Sequence, residues 1–239
     1  MAVSSEVSRP WVVDRRTASP VWPVAAGLVA FLLAFVSVGY LHAVAPPSLN
    51  PIRDTVSDYV YVPGVGGLFG FAVVMTALGS AALLVGMRYS PLRAHRLSYA
   101  LMGVWCAGLA LLPTFPTDRI VLGQMSVVGN IHRYLAVIAF VALPMAGLGI
   151  ATALCSHEPL RRLGNWIRWT CAAASFGVLV LVAIHLPAIF PEKFGAVLLS
   201  GFVERIVLVV DFGLLAMIAA GIVIAGRKVR KVSTVDVAR

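Results

Sequence analysis

Six long apolar runs constrain the fold of this chain more strongly than any other feature of its sequence. An α-helix needs about 20 apolar residues to cross the hydrocarbon core of a bilayer, and each run approaches that length, with the third somewhat short. Charged residues make up only 12% of the 239 residues, about half of the share found in soluble domains. The sequence therefore predicts an all-α polytopic membrane helix bundle with six transmembrane helices. The runs lie at about residues 24–44, 64–87, 97–113, 131–155, 169–190 and 197–225.

Lysine and arginine are distributed unequally between the two sides of such a bundle. Fourteen of the 19 lie in the N-terminal tail, in the connections after the second and fourth runs, and in the C-terminal tail. Because cytoplasmic segments carry the excess of cations, both termini are predicted to be cytoplasmic, in a multi-pass protein of the bacterial inner membrane. The first run is expected to remain as a span, since the polar start of the chain lacks the apolar centre of a cleavable signal peptide. The predicted division is 1–20 for the N-terminal tail, 21–226 for the six-helix domain and 227–239 for the basic C-terminal tail.

The net charge of +9 is compatible with binding either to nucleic acid or to a membrane. Since the cations lie between apolar runs, membrane lipids and not nucleic acid are the expected partners. The three cysteines are odd in number and lack paired spacing, which argues against a disulfide framework. His42, His132 and His185 permit a zinc site with an open position, but no HExxH or His-x-His spacing accompanies them. Neither a metal nor a cofactor is predicted.

The sequence NPIRDTVSDY, at residues 50–59, forms a polar segment between the first two runs, on the predicted non-cytoplasmic side. Asn50 before Pro51 is typical of a helix start, with Asn as the cap and Pro at the first position. On such a helix Asp54 and Asp58 would face the same way, and Arg53 would pair with one of them. Two interpretations stay open: a capped interfacial helix with ordinary surface charges, or the lid of a binding site. In the second, the substrate-binding candidates are Asn50, Arg53, Asp54, Ser57 and Tyr59.

The sixth run contains a carboxylate well inside the predicted span. Asp211 lies in IVLVVDFGLLAMIAA, where a bare carboxylate costs at least ~2.5 kcal/mol and therefore needs a partner, a proton or water. Glu204 precedes it by two helical turns, about 10 Å, on nearly the same face. The two acids either pair with Arg205 or Arg53 and lock the bundle, or line a site that runs from the interface into the bundle. A carboxyl group in an apolar pocket could serve as a general acid.

Two shorter polar features lie on the same predicted side. FPTD at residues 115–118 follows the third run, and His132 and Arg133 open the fourth. Asp118 either caps a short helix or faces a site, while Arg133 can bind a phosphate headgroup through its forked guanidinium. Because these groups collect at one membrane face, we expect them to line one pocket. The catalytic candidates are Asp58, Asp118, His132, Glu204 and Asp211, and Arg133 and His185 join the substrate-binding candidates.

Gly66 and Gly70 form a GxxxG pattern in the second run. Small residues let helices approach closely in lipid. The pattern indicates packing within the bundle or, as the alternative, a homodimer face, and the oligomeric state stays open.

Three motifs resemble a bacterial membrane family catalogued as domain of unknown function 998. They are LNPIRDTVSDYVYVPGVGGLFG after the first run, LLPTFPTD after the third and NIHRYLAVIAF at the fourth. The resemblance covers about residues 24–225 and implies a six-helix integral membrane protein, without an activity to transfer. The residues that match the pattern are Asn50, Pro51, Ser57, Asp58, Tyr59, Pro116, Asp118 and His132.

These observations favour an integral membrane protein with an outward-facing polar pocket that binds or processes a lipid-like molecule. Two alternatives come from other classes. A proton-coupled small-molecule transporter would use Glu204 and Asp211 as a relay, although the inner halves of the predicted spans hold no acid that continues it. A non-catalytic membrane assembly protein would instead use the same acids to hold helices together.

Overall fold

Six long α-helices account for most of this computed structural model, which describes residues 20–118, 126–189 and 199–237. Short 3₁₀ helices lie at Val56–Tyr61, Leu112–Thr114 and Glu158–Leu160, and no strand occurs in the described ranges. The α-helices are α1 Val21–Val44, α2 Gly67–Tyr89, α3 Arg96–Leu111, α4 Val127–Cys155, α5 Arg161–Ile189 and α6 Ser200–Val237.

All six α-helices include a segment that is long and apolar enough to cross a membrane. The predicted all-α fold with six candidate spans is therefore confirmed, while two boundaries were wrong. α5 begins at Arg161 and not near residue 169, and α6 continues to Val237 and not to residue 225. Hydropathy marks where a helix leaves the apolar layer, not where its backbone hydrogen bonding ends. The start of α5 is amphipathic, with Ile167 buried between the exposed Trp166 and Trp169, so the apolar pattern missed its first turns.

The helices pack against their neighbours in sequence, and α6 also contacts α1, α2 and α4, which closes the bundle. Glycine permits the closest of these approaches. A Cβ on Gly27 of α1 would lie 2.9 Å from the carbonyl oxygen of Gly79 on α2, and a Cβ on Gly79 would meet the ring of Phe31. Large apolar side chains such as Trp22 and Phe176 are exposed on the outside of the bundle, as expected where helices face lipid.

The GxxxG pair packs within the chain. A Cβ on Gly66 would collide with the backbone carbonyl of Val60, and one on Gly70 would lie 3.5 Å from Pro113. Gly66 thus allows a close approach between the start of α2 and the 3₁₀ helix that contains Val60, whereas a Cβ on Gly70 would make an ordinary contact. This contact supports packing within the bundle at Gly66.

Residues 50–61, here called the roof segment, cover one end of the bundle. The predicted helix start at Asn50 and Pro51 is wrong: residues 50–54 form a turn in which the Asn50 side chain accepts from the Ile52 amide at 2.9 Å. The helix is the 3₁₀ helix that begins at Val56, after a capping box between Thr55 and Asp58. Asn favours such local turns, and a Thr-x-x-Asp pattern supplies the competing helix start.

The roof segment has its own small apolar core. Val56 and Tyr59 pack there with Leu41 of α1, Phe69 of α2 and Leu112, all of them buried. The segment is thereby anchored to three different parts of the bundle. It forms a fixed cover and not a surface loop.

Candidate functional site

A cavity of about 460 Å³ lies beneath the roof segment, between α1, α2, α3, α4 and α6. Its volume falls in the range of about 300–1,000 Å³ that is typical of small-molecule sites. Most of its wall is apolar. Its polar side chains lie at two levels: Ser57, Tyr59, His42, His132, Glu204 and Arg205 towards the roof, and Thr76 and Asp211 deeper in the bundle.

The cavity approaches the outside of the bundle between α1 and α6. Phe35 on α1 and Val209 on α6 both line it, and both side chains are about two-thirds exposed, at 67% and 68%. Both residues lie within candidate membrane spans. The opening therefore faces the level at which lipid chains would surround the protein.

Arg205 fastens the roof segment to α6. Its Nη1 donates to the carbonyl oxygens of Pro51, Asp54 and Gly201 at 2.7, 2.9 and 2.9 Å. Its Nη2 donates to the Tyr59 hydroxyl at 2.9 Å, and the guanidinium lies 5.5 Å from the centre of the Tyr59 ring. The rigid fork of donors in a guanidinium suits it to several acceptors at once. The sequence had suggested Arg205 only as a partner for the acids, and its main role is to bind backbone carbonyls.

Glu204 has a single described partner, the start of the 3₁₀ helix. The Val56 amide donates to Glu204 Oε2 at 2.6 Å. A carboxylate in this position satisfies an amide that a helix terminus leaves unpaired. Glu204 thus lines the cavity while supporting its roof, and the proposed pairing of Glu204 with Arg205 or Arg53 is not among the described ion pairs.

The first turn of α6 also joins the roof segment through its backbone. The Gly201 and Phe202 amides donate to the carbonyl oxygens of Arg53 and Ile52 at 3.2 and 2.9 Å. The Ser200 hydroxyl donates to the same Arg53 carbonyl at 2.5 Å. A Cβ on Gly201 would collide with the Asp54 carbonyl, so only glycine permits this approach. The polar segment at residues 50–59 and the Glu204–Asp211 face of α6 are thus brought together.

Tyr59 connects three elements. Its hydroxyl lies 2.5 Å from Nδ1 of His42 on α1 and receives the hydrogen bond from Arg205 on α6. Since the guanidinium can only donate, the Tyr59 oxygen accepts from Arg205, and the direction of its hydrogen bond with His42 follows the tautomer of the histidine. The sequence had suggested His42 only as one of three histidines that could bind zinc. Its position at the end of the first apolar run was the one feature that could have indicated a role near the polar segment. Nothing in the sequence indicated that it contacts Tyr59, 17 positions later.

His132 lies on α4 with only 6% of its surface exposed, and it lines the cavity. Its Nδ1 lies 2.6 Å from the Phe115 carbonyl oxygen, which can only accept, so the proton resides on Nδ1. In a neutral imidazole this arrangement leaves Nε2 as an acceptor. The roof segment also reaches FPTD, because the Tyr61 hydroxyl donates to the Thr117 carbonyl.

Asp118 does not line the cavity. Its carboxylate accepts from the Ser126 amide at 2.7 Å and the Ser126 hydroxyl at 2.9 Å, and Ser126 is the N-cap of α4. Asp118 thus supports the N-cap of the long helix α4, and it neither caps a short helix nor lines the cavity. Asp58 is likewise used locally, accepting from the amide and hydroxyl of Thr55 at 2.7 and 2.8 Å.

Several binding candidates lie outside the cavity lining. Asn50, Arg53 and Asp54 form the turn on the far side of the roof, and Arg133 is half-buried on α4. Oδ1 of Asp54 lies 2.9 Å from Nε of Arg53. Partial burial raises the pKa of Asp54, but hydrogen bonds from Arg53 and the Asn50 amide, together with nearby guanidinium charges, bring the pKa below its usual range. The side chain of His185 lies outside the described part of the structure.

Asp211 is the least satisfied polar group of the site. It is 1% exposed, it lines the deeper part of the cavity, and neither carboxylate oxygen has a hydrogen-bond partner among the described residues. Other polar groups of this region are already used. Thr76 donates to the Ala72 carbonyl at 2.9 Å, and the Trp105 indole donates to the Ser80 hydroxyl at 2.8 Å. The locking interpretation, in which Asp211 pairs with an arginine, therefore does not hold within the described residues.

No group of three or more His, Cys, Asp or Glu side chains in the described ranges is placed to hold a metal ion. His42 and His132 both line the cavity, but each Nδ1 is engaged, one by the Tyr59 hydroxyl and the other by the Phe115 carbonyl. The Nδ1 atoms of both histidines are therefore used in hydrogen bonds within the protein.

Six apolar helices that enclose a cavity lined by two acids define this chain as a multi-pass integral membrane protein. It belongs to the family described as protein of unknown function (DUF998), which its residues 28–226 match. The resemblance inferred from the sequence is confirmed over most of the chain. No curated protein and no solved structure matches it.

Proposed function

We propose that this protein binds an amphiphilic, lipid-like molecule in the cavity beneath the roof segment. The observation that carries the proposal is the combination of apolar walls, two levels of polar groups and an opening at the level of the membrane span. A lipid-like molecule can enter such a site from the bilayer without passing through water. Its apolar part would pack against the aliphatic and aromatic wall, and its polar atoms would face His132, Glu204 and Asp211.

The excess of cations in the tails and in two of the connections supports a cytoplasmic position for both termini, in the inner membrane of a bacterium. The roof segment then faces outward. The binding step is what the geometry supports best. A chemical step on the bound molecule would fall to His132, whose Nε2 is left as an acceptor, and to Glu204 at the same level.

A proton-coupled transporter is the second candidate, and the buried carboxyl of Asp211 favours it, because acids within spans often serve as proton relays. The residues that follow Asp211 on the same side of α6 argue against a transporter. Leu214, Leu215 and Ile218 are almost fully buried and apolar, so the described part of α6 offers no polar path onward. Uptake of a substrate into vesicles that Asp211→Asn abolishes would establish the transporter instead.

Two glycines allow a matched test of binding in the cavity. Gly39 on α1 lines the cavity and Gly213 on α6 does not, and a Cβ on either glycine meets no atom within 4 Å. Gly39→Trp should fill the opening, while Gly213→Trp should add the same bulk to a lipid-facing surface.

The experiment is mass spectrometry of molecules that co-purify with the protein in a mild detergent. We expect a lipid-like molecule to accompany the wild type and Gly213→Trp, and to fall by about tenfold with Gly39→Trp, because a filled cavity loses its occupant. An equal yield of the molecule from all three proteins would place it on the outer surface and contradict the proposal.

A further inference from the structure

The deeper part of the cavity contains a carboxyl group for which the described residues supply no hydrogen-bond donor. Asp211 is buried, and both of its carboxylate oxygens lack a partner among the described residues. The hydroxyl of Thr76 and the indole of Trp105, which also line the cavity, already donate elsewhere. Burying a carboxyl without a hydrogen bond is costly, so an occupant that donates to Asp211 would remove a penalty that the protein alone carries.

Aromatic rings belong to the wall of the same cavity. Trp105, Phe140 and Phe212 all line it, and the rings of Trp105 and Phe140 lie 6.3 Å apart between centres. The face of an aromatic ring attracts a cation, most strongly where water is excluded. A carboxyl group and several aromatic rings in one cavity are the groups that recognise an organic ammonium ion.

The charges of the cavity point to the same class of ligand. Glu204 and Asp211 are its acidic groups, and Arg205 is the one Lys or Arg in the described lining. The guanidinium of Arg205 is engaged by three carbonyl oxygens and the Tyr59 hydroxyl. Arg53 and Arg133, which the sequence had suggested for an anionic headgroup, are not in the lining. An anionic ligand would therefore face two carboxyl groups. The guanidinium of Arg205 would not be available to bind it, because its donors are already used by the protein.

We propose that the ligand is an amphiphilic amine whose cationic nitrogen binds Asp211 between the rings of Trp105, Phe140 and Phe212. This inference rests on the proposed function, because it names the class of ligand for the same cavity. The ammonium group donates to the Asp211 carboxylate, and its alkyl part extends along Leu208 towards the opening at Phe35 and Val209. A neutral hydroxyl group would also donate to Asp211, but it would gain nothing from the ring faces.

Isothermal titration calorimetry with octylamine, octan-1-ol and octanoate tests the assignment. The purified full chain is titrated in one uncharged detergent at a fixed micelle concentration, so that partition of each probe into micelles is the same for every variant. For the wild type we expect octylamine to bind at least about tenfold more tightly than octan-1-ol, and octanoate to bind most weakly. With Asp211→Asn the affinity for octylamine should fall by about tenfold, while that for octan-1-ol changes by less than about threefold.

Glu158→Gln is the matched control, because it removes one negative charge at an exposed side chain outside the cavity. Its affinity for octylamine should equal that of the wild type. Phe140→Leu is a second variant that keeps every carboxyl group, and it should also weaken octylamine more than octan-1-ol. Folding of each variant is checked by gel filtration and thermal unfolding.

Octan-1-ol binding as tightly as octylamine, or equal losses of both in Asp211→Asn, would overturn the amine assignment. The cavity would then still bind amphiphiles, and the proposed function would stand. If none of the three probes binds and Gly39→Trp leaves the co-purifying molecules unchanged, the proposed function fails together with the inference.

Discussion

Glu204 and Asp211 lie two turns apart on α6 and line one cavity, yet they differ in their hydrogen bonding. Glu204 accepts a hydrogen bond from the Val56 amide at 2.6 Å and lies beside Arg205, which ties the roof to the bundle. Asp211 is buried with no partner among the described residues. At the roof end, polar groups form a connected hydrogen-bond network that joins the roof segment to α6. At the deeper end, the carboxyl group of Asp211 is available to bind a ligand. Substitutions at the two ends should therefore have opposite effects on stability.

Arg205→Leu should have the largest effect on the roof end. It removes the hydrogen bonds that join α6 to the Pro51 and Asp54 carbonyls and to the Tyr59 hydroxyl of the roof segment. We expect a loss of about 3–5 kcal/mol in the free energy of unfolding, measured by denaturant titration in detergent. Arg53→Leu is the control, because the exposed Arg53 side chain forms an ion pair with its neighbour Asp54, and its unfolding curve should lie close to that of the wild type. If the two variants are equally stable, the roof is not held by Arg205.

Glu204→Gln and Asp211→Leu measure the contrast on α6 directly. Glu204→Gln weakens a charge-assisted hydrogen bond to Val56 and should cost about 1–2 kcal/mol of stability. Asp211→Leu replaces a buried carboxyl that has no hydrogen-bond partner in the described ranges with an apolar group of similar size, and it should raise stability by about 1–3 kcal/mol. Thermal unfolding of the ligand-free proteins gives both signs. A destabilised Asp211→Leu would show that Asp211 has a structural partner and would remove the difference between the two ends.

Asp118→Ala should have a smaller effect and separates capping from binding. Asp118 accepts from the Ser126 amide and hydroxyl at the start of α4, outside the cavity. The variant should lose about 1 kcal/mol of stability, as expected for a helix cap, and should keep the affinity of the wild type for octylamine. Reduced affinity with unchanged stability would restore the catalytic candidate that the sequence suggested.

The sequence was sufficient for the six helices, and it singled out Glu204 and Asp211, which both line the cavity. Long apolar runs determine spans almost by length alone, so all six were predictable. Asp211 stood out because an acid within an apolar run has few explanations. The residues that hold the roof were harder to predict, because Arg205 and His42 act through contacts with residues 146 and 17 positions away, which no local pattern encodes.

The roof also shows how local competition misleads a motif. Asn50 and Pro51 are a good helix start, but Thr55 and Asp58 form a better one five residues later, so Asp54 and Asp58 do not share a helix face. Asp118 was placed in a pocket because it lay near other acids in sequence-based topology. In the structure Asp118 instead accepts a hydrogen bond from the Ser126 amide at the start of α4, where helix amides lack partners within the helix.

The smallest expected effect is a pH dependence at the outer surface of the roof. Burial raises the pKa of Asp54, but hydrogen bonds from Arg53 and Asn50, with the guanidinium charges of Arg53 and Arg205, lower it overall. Because the folded pKa lies below the unfolded one, Asp54 stabilises the fold above the unfolded value of about 4, and this contribution is lost as pH falls through the lower folded value. The apparent melting temperature of Asp54→Asn should therefore lie slightly below that of the wild type at pH 7, and the two should converge towards pH 3. A gap that stays constant over this range would show that the amide replacement disturbs the turn for reasons other than charge.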